Sequence, residues 1–176
     1  MSQLKVNKII PVGGVASGQG GGVGQTVAAN KTDAFSHSTN TFVDITGLTV
    51  DITPVAASSK FIIYTSVCVG GASNAFPAFR LRRNGTTNIN IGTSATGIQT
   101  NVTFGCRTIN TTEVHQLGYT FVDTPSYSVG DTLTYNLRIA SMLNSYSVRV
   151  NRFDGTANQN YGFFGTSTIQ VQEVAG

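Results

Sequence analysis

Residues 60–69, KFIIYTSVCV, decide the fold class of this chain. They form a nearly continuous apolar run of strand length, rich in β-branched and aromatic side chains, and Gly70 and Gly71 follow it. Such a run predicts a strand in the middle of a packed sheet. Nowhere in the chain do apolar residues keep a helical spacing for three turns. The chain is therefore predicted to be all-β.

Turn residues divide the rest of the chain into further short strands. The predicted segments are 42–45, 48–52, 60–69, 79–82, 86–91, 99–109, 114–122, 131–140, 145–152 and 166–174. Eight or more short strands with frequent turns are typical of an antiparallel β-sandwich, a jelly roll or a barrel.

The clearest local signal is a hairpin around Asn84 and Gly85, the residue pair that favours a two-residue type I′ turn. In the strand before it, residues 79–82 (FRLR), the two arginines share one face and the Phe and Leu share the other. We expect these arginines to face solvent or to form ion pairs. A role in binding an anion or a partner is the alternative.

The first 30 residues differ from the rest of the chain. Residues 1–12 contain a short apolar segment with two lysines, whereas residues 13–30 lack an apolar period and predict a glycine-rich linker. An extended peptide can add a strand to a partner's sheet edge, and a frayed terminus is the alternative. We therefore expect a docking arm and linker over 1–30 and a body over 31–176. The expected docking residues are Leu4, Lys5, Val6, Lys8, Ile9 and Ile10.

Bulk composition argues against several classes of partner. Charged residues are 11% of the chain and the net charge of +3 includes no basic run, so no nucleic-acid partner is expected. No apolar stretch reaches the ~18 residues of a membrane span, and no signal peptide is recognised, so we expect folding in a cytoplasm. Cys68 and Cys106 lie in strand-like segments and are expected to be buried free thiols.

No pattern of residues indicates catalysis or metal binding. His37 and His115 are far apart in the sequence, and no His-x-His, Glu-x-x-His or Cys-x-x-Cys spacing occurs. The eight acidic residues are scattered, in places where Asp side chains bond backbone amides at turns and strand ends. We therefore expect a protein that is not an enzyme, with no catalytic residues, no cofactor and no metal site.

Five aromatic residues in the second half of the chain have two interpretations. Tyr119 and Phe121 alternate on one predicted strand, and Tyr161, Phe163 and Phe164 precede the last one. Aromatic side chains in such positions pack in a sheet core, or they pack at a subunit interface. The pattern leaves both open, so these five are candidate residues for an interface between copies of the chain.

Both ends of the chain and part of its middle carry a resemblance. The opening LKVNKIIP followed by glycines, the closing GTSTIQVQEV, and the segments FVDITGLTVDITP and SSKFIIYTSV resemble virion proteins of tailed phages, particularly cyanophages and marine phages. The resemblance implies a jelly roll of the TNF/C1q type with an extended N-terminal arm, assembled as a homotrimer. The family includes capsid decoration proteins, head fibres and tail-fibre domains. No repetitive shaft separates the arm from the body, which favours a compact decoration or cement protein.

The resemblance also implies partners and a location. The protein would be made in the host cytoplasm and would reside in the virion, where the arm binds the major capsid protein or another virion protein. The alternative is a tail-associated host-recognition module that binds a surface glycan or protein. Its contacts would lie in distal loops, at Arg82, Arg83 and Asn84 and in residues 154–160. An enzyme such as a depolymerase is disfavoured because acid–base groups are few.

Overall fold

The structure is a computed structural model that describes residues 22–94, 96–155, 160 and 162–174 of the chain. The described residues form strands and no helix, which confirms the all-β prediction. The strands are β1 Val23–Lys31, β2 Phe35–His37, β3 Val43–Ile52, β4 Lys60–Gly71, β5 Pro77–Arg83, β6 Thr87–Ile89, β7 Phe104–Gly105, β8 Val114–Asp123, β9 Leu133–Ser141, β10 Val148–Val150 and β11 Ser167–Val174.

The strands form two antiparallel sheets that share one core. Sheet A has the order β1-β11-β4-β8, and sheet B has the order β3-β9-β5-β6, with β7 also paired to β5. The short strands β2 and β10 complete sheet A, because β10 pairs with β4 beyond β11 and β2 pairs with β10. Neighbouring strands come from distant parts of the chain, which is the connectivity of a double-sheet jelly roll. The predicted β-sandwich and jelly-roll class is therefore confirmed.

The apolar run that predicts a central strand forms β4, in the middle of sheet A. β8 pairs along one edge of β4, and β11 and β10 share the other edge. Phe61, Ile63, Val67 and Val69 point from β4 into the core and expose no surface. Their fully buried partners from sheet B include Ile45, Leu48, Phe79, Leu81, Leu137 and Ile139. Both predictions for this segment, a strand and a central position, are confirmed.

The hairpin prediction is also confirmed. β5 and β6 pair around Asn84 and Gly85, whose φ angles of 51° and 72° are both positive, as a type I′ turn requires. Asn tolerates the left-handed region and Gly enters it freely because it has no Cβ. Phe79 and Leu81 are fully buried, so the arginines between and after them lie on the outer face of sheet B.

The body begins earlier than the sequence predicts. Residues 23–30, predicted to be linker, belong to β1, which pairs with β11 from Val23 to Lys31. The side chains that β1 packs against the core, such as Val27 and Ala29, are small and only partly buried. A strand with so few large apolar residues has no clear apolar period, and its position is decided by the backbone ladder to β11. The predicted boundary between residues 30 and 31 is therefore wrong.

Two predicted strands form one. Residues 42–45 and 48–52 both lie in β3, whose register with β9 shifts between Asp44 and Thr49. Gly47 lies in this irregularity with a φ of 84°, a conformation that favours glycine. The glycine that indicates a turn in the sequence is instead part of a β-bulge, and the apolar residues on both sides of it continue to face the core.

Two other predicted strands are shorter than expected. Only β7 is regular within residues 99–109, and only β10 is regular within residues 145–152. Close to β7, the hydroxyl oxygen of Thr103 accepts the N–H of Leu81 at 3.0 Å in place of a backbone carbonyl. Side chains that bond the backbone compete with a regular ladder, and the periodicity of the sequence does not report this competition.

Asn151, which follows β10, joins the two parts of sheet A. Its side-chain nitrogen donates to the carbonyls of Lys31 and Asp33, each at 2.9 Å. Its side-chain oxygen accepts from the hydroxyl of Ser167 at 2.5 Å, and its backbone N–H donates to the carbonyl of Cys68 at 2.8 Å. The residue is fully buried and has a φ of 65°. One residue therefore connects β1, β4, β10 and β11 where the two ladders meet.

Glu173 of β11 ties the loop between β3 and β4 to sheet A. Its side chain is buried, and its carboxylate accepts from the side chains of Gln25 at 2.7 Å and Ser59 at 2.6 Å. The backbone N–H groups of Val55 and Ala56 donate to it at 3.0 and 3.2 Å. Burial alone would raise the pKa of this carboxyl, but the hydrogen bonds outweigh burial and hold its pKa below the ordinary value of 4.5.

The two ends of the sandwich carry different loops. β1 begins beside Val174, at the end of sheet A where β4 begins and where β8 finishes at Asp123. The turn between β5 and β6 lies at this same end, because Arg83 forms an ion pair with Asp123. We call this the arm end. The opposite end, called the far end, carries the loops 38–42, 72–76, 106–113, 142–147 and 151–155.

Replacing Asn151 by alanine is expected to lower the free energy of unfolding by about 2–4 kcal/mol, because two buried carbonyls lose their donor. Chemical denaturation of the full chain measures the change. Asn74→Ala is the matched control, since Asn74 has a similar φ of 62° in an exposed turn. Equal losses in the two variants would assign the effect to backbone strain and contradict the joining role.

Glu173→Gln is expected to lower stability at neutral pH and to flatten the pH dependence of stability in acid. Because folding lowers the pKa of Glu173, its contribution is complete above its ordinary value of 4.5 and is lost as the pH falls through the folded pKa. Urea midpoints from neutral pH down to about pH 3 measure the slope. Asp131→Asn, in an exposed turn, is the control, and an unchanged slope in Glu173→Gln would refute the assignment.

Candidate docking surface

The outer face of sheet A, which we call the A face, carries no charge over most of its area. Side chains alternate along each strand, so the register of β1, β11, β4 and β8 aligns the outward residues in rows. The rows are Thr26, Gln172, Ile62 and Val122; then Ala28, Gln170, Tyr64 and Thr120; then Asn30, Thr168, Ser66 and Gly118. Hydroxyls, amides and small apolar groups make up this surface.

A shallow depression lies in the A face. It has a volume of about 400 Å³ and is bordered by residues that include Tyr64, Ser66, Gly118 and Thr168. It is open because a Cβ built on Gly118 would meet nothing within 4 Å. Tyr64 is 38% exposed and Val122 is 46% exposed. An exposed tyrosine beside a depression suits a contact surface, because it offers both apolar area and a hydroxyl.

Toward the far end, the segment between β10 and β11 borders the A face. Gly165 lies against the sulfur of Cys68 so closely that a Cβ at this position would collide with it. Phe163 and Phe164 belong to the same segment, directly before Gly165, and are 54% and 68% exposed. Two of the predicted interface aromatics therefore present surface beside the A face. Tyr161, the third of this group, lies outside the described residues.

Tyr119 and Phe121 lie on the inner face of β8. Phe121 packs against the main core. Tyr119 stacks on Phe104 with ring centroids 5.2 Å apart, and Phe104 stacks on Phe79 at 4.8 Å. These three rings connect the two sheets between β8 and β5. The structure therefore packs Phe121 against the core and leaves Tyr119 half-buried between the sheets, which is close to one of the two interpretations that the sequence left open.

The residues of the hairpin tip are engaged within the chain. Arg82 Nη2 lies 2.7 and 2.6 Å from the two carboxylate oxygens of Asp44, and Arg83 forms an ion pair with Asp123. The side-chain oxygen of Asn84 accepts a backbone N–H of β9 at 2.9 Å. The prediction of ion-paired arginines is confirmed for Arg82. The tip lies at the arm end, where β1 begins, and its role as a distal contact stays a prediction.

Asp123 anchors the arm end through a buried polar cluster. In addition to its ion pair with Arg83, Asp123 accepts a hydrogen bond from the hydroxyl of Tyr135 at 2.8 Å. Burial and the charge of Asp123 raise the pKa of the Tyr135 hydroxyl, so it remains a donor. The cluster joins β8 of sheet A to β5 and β9 of sheet B.

The predicted docking residues of the arm lie outside the described residues, so their role stays a prediction. They are Leu4, Lys5, Val6, Lys8, Ile9 and Ile10. Residues 156–159 of the other predicted distal loop are also outside the described part of the chain. Asp154, at the start of that loop, lies at the far end and accepts from Arg149 Nε at 2.6 Å.

Neither thiol in the described residues is activated. Cys68 and Cys106 are free, as predicted, and burial raises the pKa of both, that of Cys106 to about 11. Nucleophilic thiols need a lowered pKa. Among the residues that the structure describes, no group of three His, Cys, Asp or Glu side chains could hold a metal ion. None of the described segments is a helix with the length and apolarity to cross a membrane.

The A face is the surface that sequence reasoning missed. The signal was present in β11, where residues 168, 170 and 172 are Thr, Gln and Gln in alternation with apolar residues. A single strand with an uncharged outer side is common, however. The surface becomes recognisable only when the register shows that four such strands lie side by side.

Comparison with known proteins places this chain in no family, since no protein-family model and no curated protein matches it.

Proposed function

We propose that this chain is a non-enzymatic structural protein of a virion, which decorates or cements the capsid as a homotrimer. The observation that carries the proposal is the uncharged A face, to which we assign the contact between copies. The likeness of both chain ends to virion proteins of tailed phages supports the location. In this proposal the arm binds the major capsid protein or another virion protein.

The chemistry of the A face suits contact with another copy of the chain. Depletion of charged residues distinguishes the core of an interface from ordinary surface. Two uncharged faces meet without like-charge repulsion and without the desolvation of ions. Hydroxyl and amide groups in rows can bond across the contact, and Tyr64 supplies the largest exposed side chain near the centre.

The size of the A face fits this role when its border is included. Three rows on four strands cover roughly 20 Å by 20 Å, about half of the ~800 Å² that each partner of a standard interface contributes. The exposed rings of Phe163 and Phe164 extend this area toward the far end. The face and its aromatic border together approach the size of a stable interface.

The position of β1 suits attachment through the arm. The described chain enters β1 at the arm end, so the body would direct its far-end loops away from the shell. The apolar residues of the arm would add to a partner's sheet edge, and its lysines would pair with acidic groups. A protein that binds only the assembled shell stabilises that state by mass action.

Imaging the native particle that carries this protein tests the proposal directly. Density for the body on the capsid lattice, with the arm running into the shell, is the expected result. A few copies at the tail, and none on the lattice, would refute the decoration role.

Host recognition is a second candidate function, favoured by the surface of the far end. Phe76, Leu143 and Tyr146 are 38%, 41% and 40% exposed there. Exposed aromatic and apolar side chains on loops that point away from an attachment point are typical of binding sites. Binding of the full-length protein to host cells, lost when these three residues are changed to serine, would support this function over cementing.

Tyr64→Arg in the full-length chain is expected to convert the trimer to a monomer, because a charge at the centre of the contact must be desolvated. Light scattering after size-exclusion chromatography measures the mass. Thr87→Arg, at an exposed position of β6 in sheet B, is the matched control and should stay trimeric. A trimeric Tyr64→Arg variant would exclude the A face as the interface.

Changing the four apolar residues of the arm to serine is expected to reduce binding to particles that lack the protein at least tenfold, because the anchors lose their apolar area. Co-sedimentation with such particles measures binding, and thermal unfolding confirms that the body is intact. Changing the two arm lysines to serine is the control. It should reduce binding to the particles less, and added salt should reduce the binding of the unchanged protein to a similar extent. Unchanged binding of the apolar-to-serine variant would contradict arm docking.

A further inference from the structure

Three arginines share the outer face of sheet B with two carboxylates, Asp44 and Asp51, both on β3. Arg80 and Arg82 lie on β5 and Arg138 lies opposite on β9, and we call these three the arginine patch. Arg82 Nη2 lies 2.6 Å and Arg138 Nε lies 2.9 Å from oxygens of Asp44. Among the described residues Asp44 is the carboxylate that contacts the patch, so the patch keeps an excess of positive charge.

Arg80 is the arginine of the patch that has no negative partner among the described residues. It lies directly opposite Arg138 in the ladder, and like charges in that position repel each other. Its guanidinium donates to the carbonyl of Asn101 at 2.9 and 3.0 Å and lies 4.0 Å from the ring centroid of Phe42. Burial, with the charge of Arg138, lowers the pKa of Arg80. A bound anion would relieve this repulsion.

One donor beside the patch lacks an acceptor within the described residues. Asn136 is 3% exposed, and its side-chain oxygen accepts from Arg82 Nε at 3.1 Å while its side-chain nitrogen has no partner. Arg138 is already engaged, since its Nε lies 2.9 Å from Asp44 and its Nη2 donates to the carbonyl of Phe42. A buried donor such as the Asn136 nitrogen is costly unless an acceptor reaches it.

An acceptor without a donor lies on the other side of Arg82. Asn88 of β6 pairs in register with Arg82, and its side-chain oxygen is buried without a partner among the described residues. Asn88 and Asn136 therefore flank Arg82, separated by two strand spacings, or roughly 10 Å. A ligand that satisfies both must bring an acceptor to one side and a donor to the other.

We propose that the arginine patch binds an acidic saccharide. Its sulfate or carboxylate group would accept a hydrogen bond from Asn136 and balance the charge of Arg80. A sugar hydroxyl would donate to the oxygen of Asn88. A carboxylate side chain of a protein accepts hydrogen bonds and donates none, so it leaves Asn88 unsatisfied. The two strand spacings between Asn88 and Asn136 approximate the length of a disaccharide.

The patch is independent of the proposed assembly contact. It lies on the outer face of sheet B, whereas the A face belongs to sheet A, and the core separates the two. A trimer formed through the A face leaves the patch on a different surface of the body. Saccharide binding by the patch is therefore independent of the proposed role in the virion.

Calorimetric titration of the full-length protein with a sulfated disaccharide tests the inference. Asn136→Asp supplies the missing carboxylate from within the chain, so it is expected to weaken binding at least tenfold while thermal stability stays equal or rises. Asn88→Ala is expected to weaken the disaccharide but to leave binding of sodium sulfate unchanged. Arg152→Gln, an arginine that stacks on Phe164 away from the patch, is the control and should bind normally.

Several results would overturn the inference. One is that the protein fails to bind the sulfated disaccharide, or binds the unsulfated disaccharide with equal affinity. Another is that it binds the sulfated disaccharide no more tightly than sodium sulfate, or binds polyglutamate more tightly than the sulfated disaccharide. Wild-type affinity in Asn136→Asp would also exclude the patch. If that variant does not fold, Arg80→Gln replaces it, with the same loss expected and the same exclusion if affinity is retained.

Discussion

The geometry of sheet A depends on the hydrogen bonds of Asn151. Two ladders meet end to end along one edge of β4, and the chain leaves β1 with the carbonyls of Lys31 and Asp33 turned inward. Buried carbonyls without donors are costly. An asparagine side chain carries donors and an acceptor on one group, and its backbone tolerates a positive φ. Asn151 therefore ties the ends of β1 and β11, which supply half of the A face, to β4 where the two ladders meet.

Side chains alternate between the inner and outer faces of each sheet, so the outward positions need not be apolar. The two outer faces of the sandwich can therefore differ in chemistry. Inward positions in both sheets are apolar, and they hold the sheets together. The outward positions in the three rows of the A face are uncharged, which suits burial against protein. Those on sheet B concentrate donors and positive charge around Arg82 and Arg138, which suits an anion. One scaffold can therefore present two contact surfaces that do not interfere.

Buried polar groups reinforce the arm end, where β1 begins. Glu173 holds the loop between β3 and β4, and Asp123 holds the start of the hairpin and the hydroxyl of Tyr135. A buried carboxylate is stable only when several donors surround it, and both of these carboxylates have them. Such groups order the loops at the end of the body where β1 begins.

The sequence by itself determined the features that depend on neighbours along the chain. The apolar run of β4, the type I′ turn at Asn84 and Gly85 and the alternation of β11 follow from local periodicity and turn chemistry. Only the tertiary structure decided the strand at 23–31, the rows of the A face, the opposition of Arg80 and Arg138, and the end at which the hairpin tip lies. In a jelly roll, strands that touch are far apart in the chain, so pairing and register are set by long-range packing and not by local sequence.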